Sequence, residues 1–308
     1  MAFLQRYRFF FLALAVLPLT GCLFRSRRVE PAPSTAQLKN STAQELISYV
    51  NTQAGKIQTL QATVDIDTSV GGEKKGKVTD FEEIRGYVLA RKPSMLRMIG
   101  LMPIVRNRAF DMVSNGQDFK LWIPPKNRFV VGRNDVETPN ANKPLENLRP
   151  QHLYEALLLR EINPSNEIAV LENETETITD PKGHRLTRAD YILDVIHHDE
   201  ERWFLSRKIV FSRTDLLPHR QLIYDPKGNI VTNAIYQDYR EDTGVNFPWN
   251  IEIARPQEEY DITLKIVKLD LNQTLADDKF VLEQPVGVEV VHLDKPATSA
   301  AGPGSNNR

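Results

Sequence analysis

The stretch SMLRMIGLMPIVRNRAFDMVSNGQDFKLWIPPKNRFVV, residues 94–131, is built from short runs in which apolar and polar side chains alternate. Met95-Leu96-Arg97-Met98-Ile99 leads into an apolar reversal, Gly100-Leu101-Met102-Pro103-Ile104-Val105. Residues 109–114 then meet residues 118–123 across Asn115-Gly116. A period of two places successive side chains on opposite faces of a strand. Asn-Gly between two such runs predicts a hairpin, because both residues tolerate the positive φ of a type I′ turn. Pro124-Pro125-Lys126-Asn127 turns the chain into a further strand at Phe129-Val130-Val131. Parity sets Leu96 and Met98 against Arg97, Phe110 and Met112 against Asp111, and Phe119, Leu121 and Ile123 against Lys120. These seven residues are expected to line one concave face, either as a cavity or as plain core.

Outward from this meander the same period recurs. Leu60, Ala62, Val64 and Ile66 alternate with polar neighbours, residues 81–90 form a second strand, and the second half offers strands near 168–172, 191–196, 203–211, 219–224, 230–239, 249–254 and 260–267. Turn signals separate them, among them Asp180-Pro181-Lys182-Gly183 and Asp225-Pro226-Lys227-Gly228. Only two helices are indicated. Ser41…Gln44 and Thr42…Glu45 have capping-box spacing ahead of an apolar stripe at Leu46, Ile47 and Val50. The other follows Pro150, with Leu153, Ala156, Leu157 and Leu158 on its apolar side. With no strand–helix–strand alternation, a sandwich and a closed barrel are both open to such a chain. A large curved antiparallel sheet in the α+β class, an incomplete half-open β-barrel with short helices on its concave face, accounts better for two helices that need an apolar surface.

The N-terminus carries a targeting pattern. Arg6 and Arg8 precede an apolar run from Phe9 to Leu17, short for a membrane span and right for a secretory signal. It ends in Leu19-Thr20-Gly21-Cys22, which resembles the bacterial lipobox in all four positions. That resemblance implies cleavage after residue 21 and a covalent diacylglycerol and N-acyl chain on Cys22, the chain's single cysteine. Leu23, rather than an inner-membrane-retaining aspartate, implies the periplasmic face of the outer membrane. Arg25, Arg27 and Arg28 either attract anionic headgroups, at about 1 kcal/mol each, or belong to a solvated tether over residues 22–40. The folded domain is expected over 41–291, with a long polar loop at 133–147 and a disordered tail at 292–308.

Chemistry is hard to find. A net charge of −1 argues against a nucleic-acid footprint. No nucleophile elbow, Walker loop or zinc-helix motif is present. His197-His198-Asp199 can be read as metal ligands or as the end of a charged hairpin, and adjacent strand histidines point to opposite sides. No enzyme, cofactor or metal is expected. Leu101, Met102, Ile104 and Val105 are the functional candidates, because apolar residues around a proline, if exposed, suit acyl chains or a bilayer interface. The competing reading buries them as a strand continuing into the core. Met98, Met102 and Met112 suit an adaptable cavity or serve as filler.

Taken together, the lipobox, the short first helix, the strand set ending at Met95–Ile99, the Met102-Pro103-Ile104 loop, the hairpin at Asn115-Gly116, the helix near Pro150 and the closing strands that end in Phe280-Val281-Leu282…Pro285-Val286-Gly287-Val288 resemble the LolA/LolB family of lipoprotein carriers and outer-membrane receptors. The lipid anchor is nearer the receptor branch. The resemblance implies a half-barrel whose cavity takes the acyl chains of a lipoprotein, a loop at Leu101, Met102 and Ile104 that helps cargo into the membrane, and a monomer working with a soluble carrier. The alternative is a closed-core lipoprotein that recruits an envelope-assembly partner.

Overall fold

The computed structural model describes residues 38–72, 76–134, 149–179, 185–242 and 244–293. The signal segment, Cys22 and the basic tether, the polar stretch from 135 to 148, the turn at 180–183 and the tail from 294 lie outside the described residues.

Fifteen strands form one sheet: β1 (Thr59–Gly72), β2 (Lys77–Asp80), β3 (Ile84–Arg91), β4 (Met95–Leu101), β5 (Arg108–Ser114), β6 (Asp118–Ile123), β7 (Arg128–Arg133), β8 (Glu167–Thr179), β9 (Arg185–His198), β10 (Trp203–Ser212), β11 (Pro218–Tyr224), β12 (Ile230–Asp242), β13 (Val245–Arg255), β14 (Tyr260–Leu271) and β15 (Glu289–His292). Their order is β15-β7-β6-β5-β4-β3-β1-β14-β13-β12-β11-β10-β9-β8, with β2 paired to the far end of β1. The pairings are antiparallel except that of β15 with β7. β15 and β8 are the two ends of the path, so the sheet is an open one rather than a closed barrel or a sandwich.

Registers carry one apolar layer across the sheet. Ala62 faces Val88, Val88 faces Met98, Met98 faces Met112, Met112 faces Leu121 and Leu121 faces Val130. On the other side of β1, Ile66 meets Leu264, Leu264 meets Ile251 and Ile251 meets Tyr236. Helices α1 (Ala43–Lys56) and α2 (Pro150–Leu157) cover this inner face. α1 buries Leu46 and Val50 against Leu193, Val195, Ile209 and Phe211, and α2 buries Leu153, Ala156 and Leu157 among the residues of the central strands. The architecture is the open, helix-lidded antiparallel sheet expected of a half-barrel.

The capping box at α1 is formed. Glu45 N–H donates to Thr42 Oγ1 at 3.3 Å, and Thr42 N–H donates to the Glu45 carboxylate at 2.8 Å. The Thr42 amide, followed by the Thr42 and Ser41 hydroxyls, donates to the Glu45 carboxylate and holds it below its usual range. Thr42→Ala is therefore expected to cost about 1 kcal/mol in chemical unfolding; an unchanged midpoint would show that the cap does not hold the helix.

Several local expectations are corrected. In the Asn115-Gly116 hairpin Ser114 pairs with Phe119, so the loop has four residues instead of two. Only Gly116 takes a positive φ, 96°. Asn115 Oδ1 instead accepts from the amides of Gln117 (2.9 Å) and Asp118 (2.7 Å), replacing the type I′ turn by an Asx turn. The strand expected at 81–90 runs Ile84–Arg91, and Lys77–Asp80 adds a separate one. α2 stops at Leu157, since Leu158 is extended at φ −120°. Phe280-Val281-Leu282 is not a strand: Asp277–Phe280 is a 3-10 turn, and the chain beyond crosses the outer face of the sheet. There Leu282 is buried with Val113 and Phe129, so this end of the sheet is apolar on both faces.

Candidate functional site

Leu101 is the last residue of β4, and the chain reverses between it and β5. The Met102 amide donates to the Asn107 carbonyl (2.7 Å), and the amides of Val105 and Arg106 donate back to Pro103 (2.7 Å) and Met102 (3.1 Å). This tight closure holds Ile104 at φ 64° and Arg106 at φ 53°. Left-handed backbone costs an L-residue roughly 1–2 kcal/mol, and a β-branched residue there is an outlier. The strain is spent on outward presentation: Ile104 is 98% exposed, Val105 64% and Met102 37%. Beside the loop runs a groove of about 360 Å³, lined by Thr63, Asp65, Tyr87, Leu101, Met102 and Arg106 among others. Its lining is partly polar, with Arg85 on Asp65, and Glu83 of the lining is bridged outside it by Lys265 (2.8 Å) to Asp67 (2.7 Å). The loop is thus an apolar tip standing on a charged outer surface, not a strand continuing into the core.

Of the residues expected on the concave face, Leu96, Met98, Met112, Phe119 and Leu121 are buried, while Phe110 and Ile123 are half-buried and pack against the same cluster. All belong to the layer that α2 covers, and side chains fill it. A small cavity of about 40 Å³ remains under the helices, between Tyr49 and Ala54 of α1, Leu158, and Tyr236, Tyr239 and Phe247 of the sheet. About 10–15 Å³ of such space holds one water, so this cavity has room for a few.

Polar side chains from the sheet fasten the covering segment, and sequence reasoning missed them. Gln221 Nε2 donates to the Glu155 carbonyl (3.2 Å) and the Tyr236 hydroxyl to the Ala156 carbonyl (2.9 Å), satisfying carbonyls that the last turn of α2 leaves open. Arg207 donates to the carbonyls of Arg160 (2.7 Å) and Glu161 (2.9 Å), just beyond that helix. Asn51 of α1 takes the Ile162 amide (2.8 Å) and donates to its carbonyl (3.1 Å). Glu167, buried at the start of β8, pairs with Arg160 and Arg207 and accepts the Asn163 amide at 2.9 Å. The available signal was parity: Arg207 alternates in step with Ile209 and Phe211, so it had to face inward. His197 lies 3.8 Å from Glu167 and edge-on to Phe204, and His198 lies against Trp203. Asp199 caps the following turn through the amides of Glu201 and Arg202. Among the described residues no group of three or more metal-ligating side chains is placed to hold an ion, and no helix is long and apolar enough to cross a membrane.

No protein-family model and no curated protein matches the sequence. Solved structures do resemble the fold. A LolA superfamily protein from Nitrosomonas europaea is 16% identical with a TM-score of 0.45, over 79% of this chain and 99% of its own. A putative outer membrane lipoprotein-sorting protein domain from Vibrio parahaemolyticus is 14% identical at TM-score 0.46, over 77% and 94%. A DUF1329 family protein from Desulfovibrio piger is 16% identical at TM-score 0.47, over 77% and 95%. The open antiparallel sheet with its two covering helices is the architecture that the order of elements implied.

Proposed function

We propose that the chain is a non-enzymatic lipoprotein of the outer membrane, held at the periplasmic face by acyl chains on Cys22, that handles acyl chains or lipoproteins delivered by a soluble carrier. The single observation that supports this reading is the 101–105 loop. Ile104, Val105 and Met102 stand in solvent on strained backbone, and burying side chains of this size in a bilayer or against acyl chains returns about 1.5–3 kcal/mol each. Cargo reaches the inner face by displacing α2, a helix of only eight residues, against the bonds that Gln221 and Tyr236 make to its last turn. The experiment is transfer of a fluorescent lipopeptide from the full chain to vesicles. A Met102→Ser/Ile104→Ser variant is expected to transfer at least tenfold more slowly with its unfolding midpoint kept. Transfer at the parent rate would sink the loop's role.

The filled inner face favours a second reading, a closed-core protein that recruits an envelope-assembly partner. Native mass spectrometry of protein purified from a bacterial periplasm separates the two. Co-purified lipid or acylated peptide supports the carrier, whereas a clean mass with no uptake of a fluorescent fatty acid supports the closed core.

A further inference from the structure

Independently of that reading, we propose that the outer edge of β8 is a docking strand for an extended, basic segment of a partner protein, which adds to the sheet as a sixteenth strand. Three observations carry this. First, the path of the sheet ends at β8, which among the described residues pairs only with β9. The His198 amide donates to the Asn166 carbonyl, so even-numbered residues of β8 bond to β9 and odd-numbered ones point their backbone groups away. No register shift interrupts the pair. The N–H and C=O groups of Ala169, Leu171, Asn173 and Thr175 therefore form a row along the open edge.

Second, the strand is long, 13 residues, and lacks the proline, lysine or bulge that usually blunts such an edge. Its outer face instead carries Ile168 and Val170, 50% and 49% exposed, followed at the same parity by Glu172, Glu174 and Glu176. Third, those glutamates select the occupant. Two-fold pairing of β8 with a second copy through the middle of the strand sets glutamate against glutamate, which cross-strand neighbours do not tolerate. The strand's own neighbours do not saturate them: Glu176 meets Arg188 at 2.8 Å, and Glu172 reaches Lys208 at 3.8 Å, a lysine that sits closer to Asp194. A segment with Lys or Arg at alternate positions, then two alternate apolar residues, matches the glutamates and the Ile168–Val170 patch in one antiparallel register. Main-chain bonds would supply affinity and the alternate side chains specificity.

The test measures fluorescence anisotropy of labelled Lys-Thr-Lys-Thr-Lys-Thr-Val-Thr-Val against the full chain, solubilised in a nonionic detergent. The parent is expected to bind it at least tenfold more tightly than a scrambled peptide of the same composition, and than the same peptide N-methylated at its two central threonines, which keeps every charge but loses donors to the edge. Glu172→Lys/Glu174→Lys should abolish binding and accept the matching peptide with Glu in place of Lys. Thr175→Pro removes an outward donor without touching the β9 ladder, and should weaken binding fivefold or more at an unchanged thermal midpoint. Equal binding of the N-methylated peptide, no binding to the parent at millimolar peptide, or a β8-dependent dimer in analytical ultracentrifugation would each overturn the proposal.

Discussion

Glu167→Ala is expected to destabilise the protein by about 3–5 kcal/mol, the cost of leaving a buried charge without its partner. Glu167 is buried, and Arg207, equally enclosed, lies 3.5 Å from its carboxylate. Burial, with Arg160 adding to it, pushes the Arg207 guanidinium down to about 10, so it stays protonated at neutral pH and needs its counter-charge. Loss of the carboxylate also frees the Asn163 amide, loosening the segment that leads from α2 to β8. Arg207→Met together with Glu167→Leu should recover only part of the loss, because apolar replacement removes both charges but leaves the Arg160 and Glu161 carbonyls and the Asn163 amide without these partners. Urea unfolding of the three proteins decides it: a Glu167→Ala variant within 1 kcal/mol of the parent would show that the pair does not hold this corner.

The second large effect is acid sensitivity. Burial, followed by the charges of Arg255 and Arg149, lowers the pKa of His152 to about 3. His219, half-buried and 3.5 Å from Asp190, is lowered to about 4, mainly by its partial burial and then by the charges of Arg188 and Arg220. Both are neutral when folded and titrate near 6.5 when unfolded. Their contribution is present in full above pH 6.5 and is lost as pH falls toward 4 and then 3, because only the unfolded chain takes up the protons. At about 1.4 kcal/mol per pH unit each, unfolding free energy at pH 4.5 should be lower than at pH 7.5 by about 2–3 kcal/mol per histidine. Asp190 and Asp261 act in the opposite sense, since burial raises both and favours their protonated, folded forms at low pH. The contrast between the parent and a His152→Gln/His219→Gln variant therefore isolates the imidazoles. Parallel pH profiles for the two proteins would remove them as the cause.

Much of this architecture is legible in residue order. Alternation at Leu60–Ile66 and through the 94–131 meander located the strands, because a half-buried strand must repeat every two residues. The capping box at Thr42 and Glu45 marked the start of α1 through local chemistry alone. What stayed hidden depends on distant partners. The final strand, Glu289–His292, is short and polar at its ends, and only the parallel edge of β7 makes it a strand. The 281–288 segment looked like sheet because its valines and Leu282 are apolar, yet they serve the outer face. At the loop, composition marked Leu101–Val105 but could not show the left-handed turn at Ile104, which arises from backbone bonds across the reversal. Arg207 and Gln221 look like ordinary strand polar residues until α2 and its following segment lie over them.

The pairing of β1 with β14 joins residues about 200 positions apart, as at Leu60 and Leu271, whereas almost every other seam links consecutive strands. Each half of the sheet can therefore zip from local hairpins, while the central seam waits for a long-range encounter and sets the contact order. During synthesis at about 5–20 residues per second, β1 presents a bare edge for roughly 10–40 s before β14 exists. In that window the strand that ends at the centre of the finished sheet stands with one edge unpaired, and a factor that shields residues 59–72 would protect it until its partner arrives.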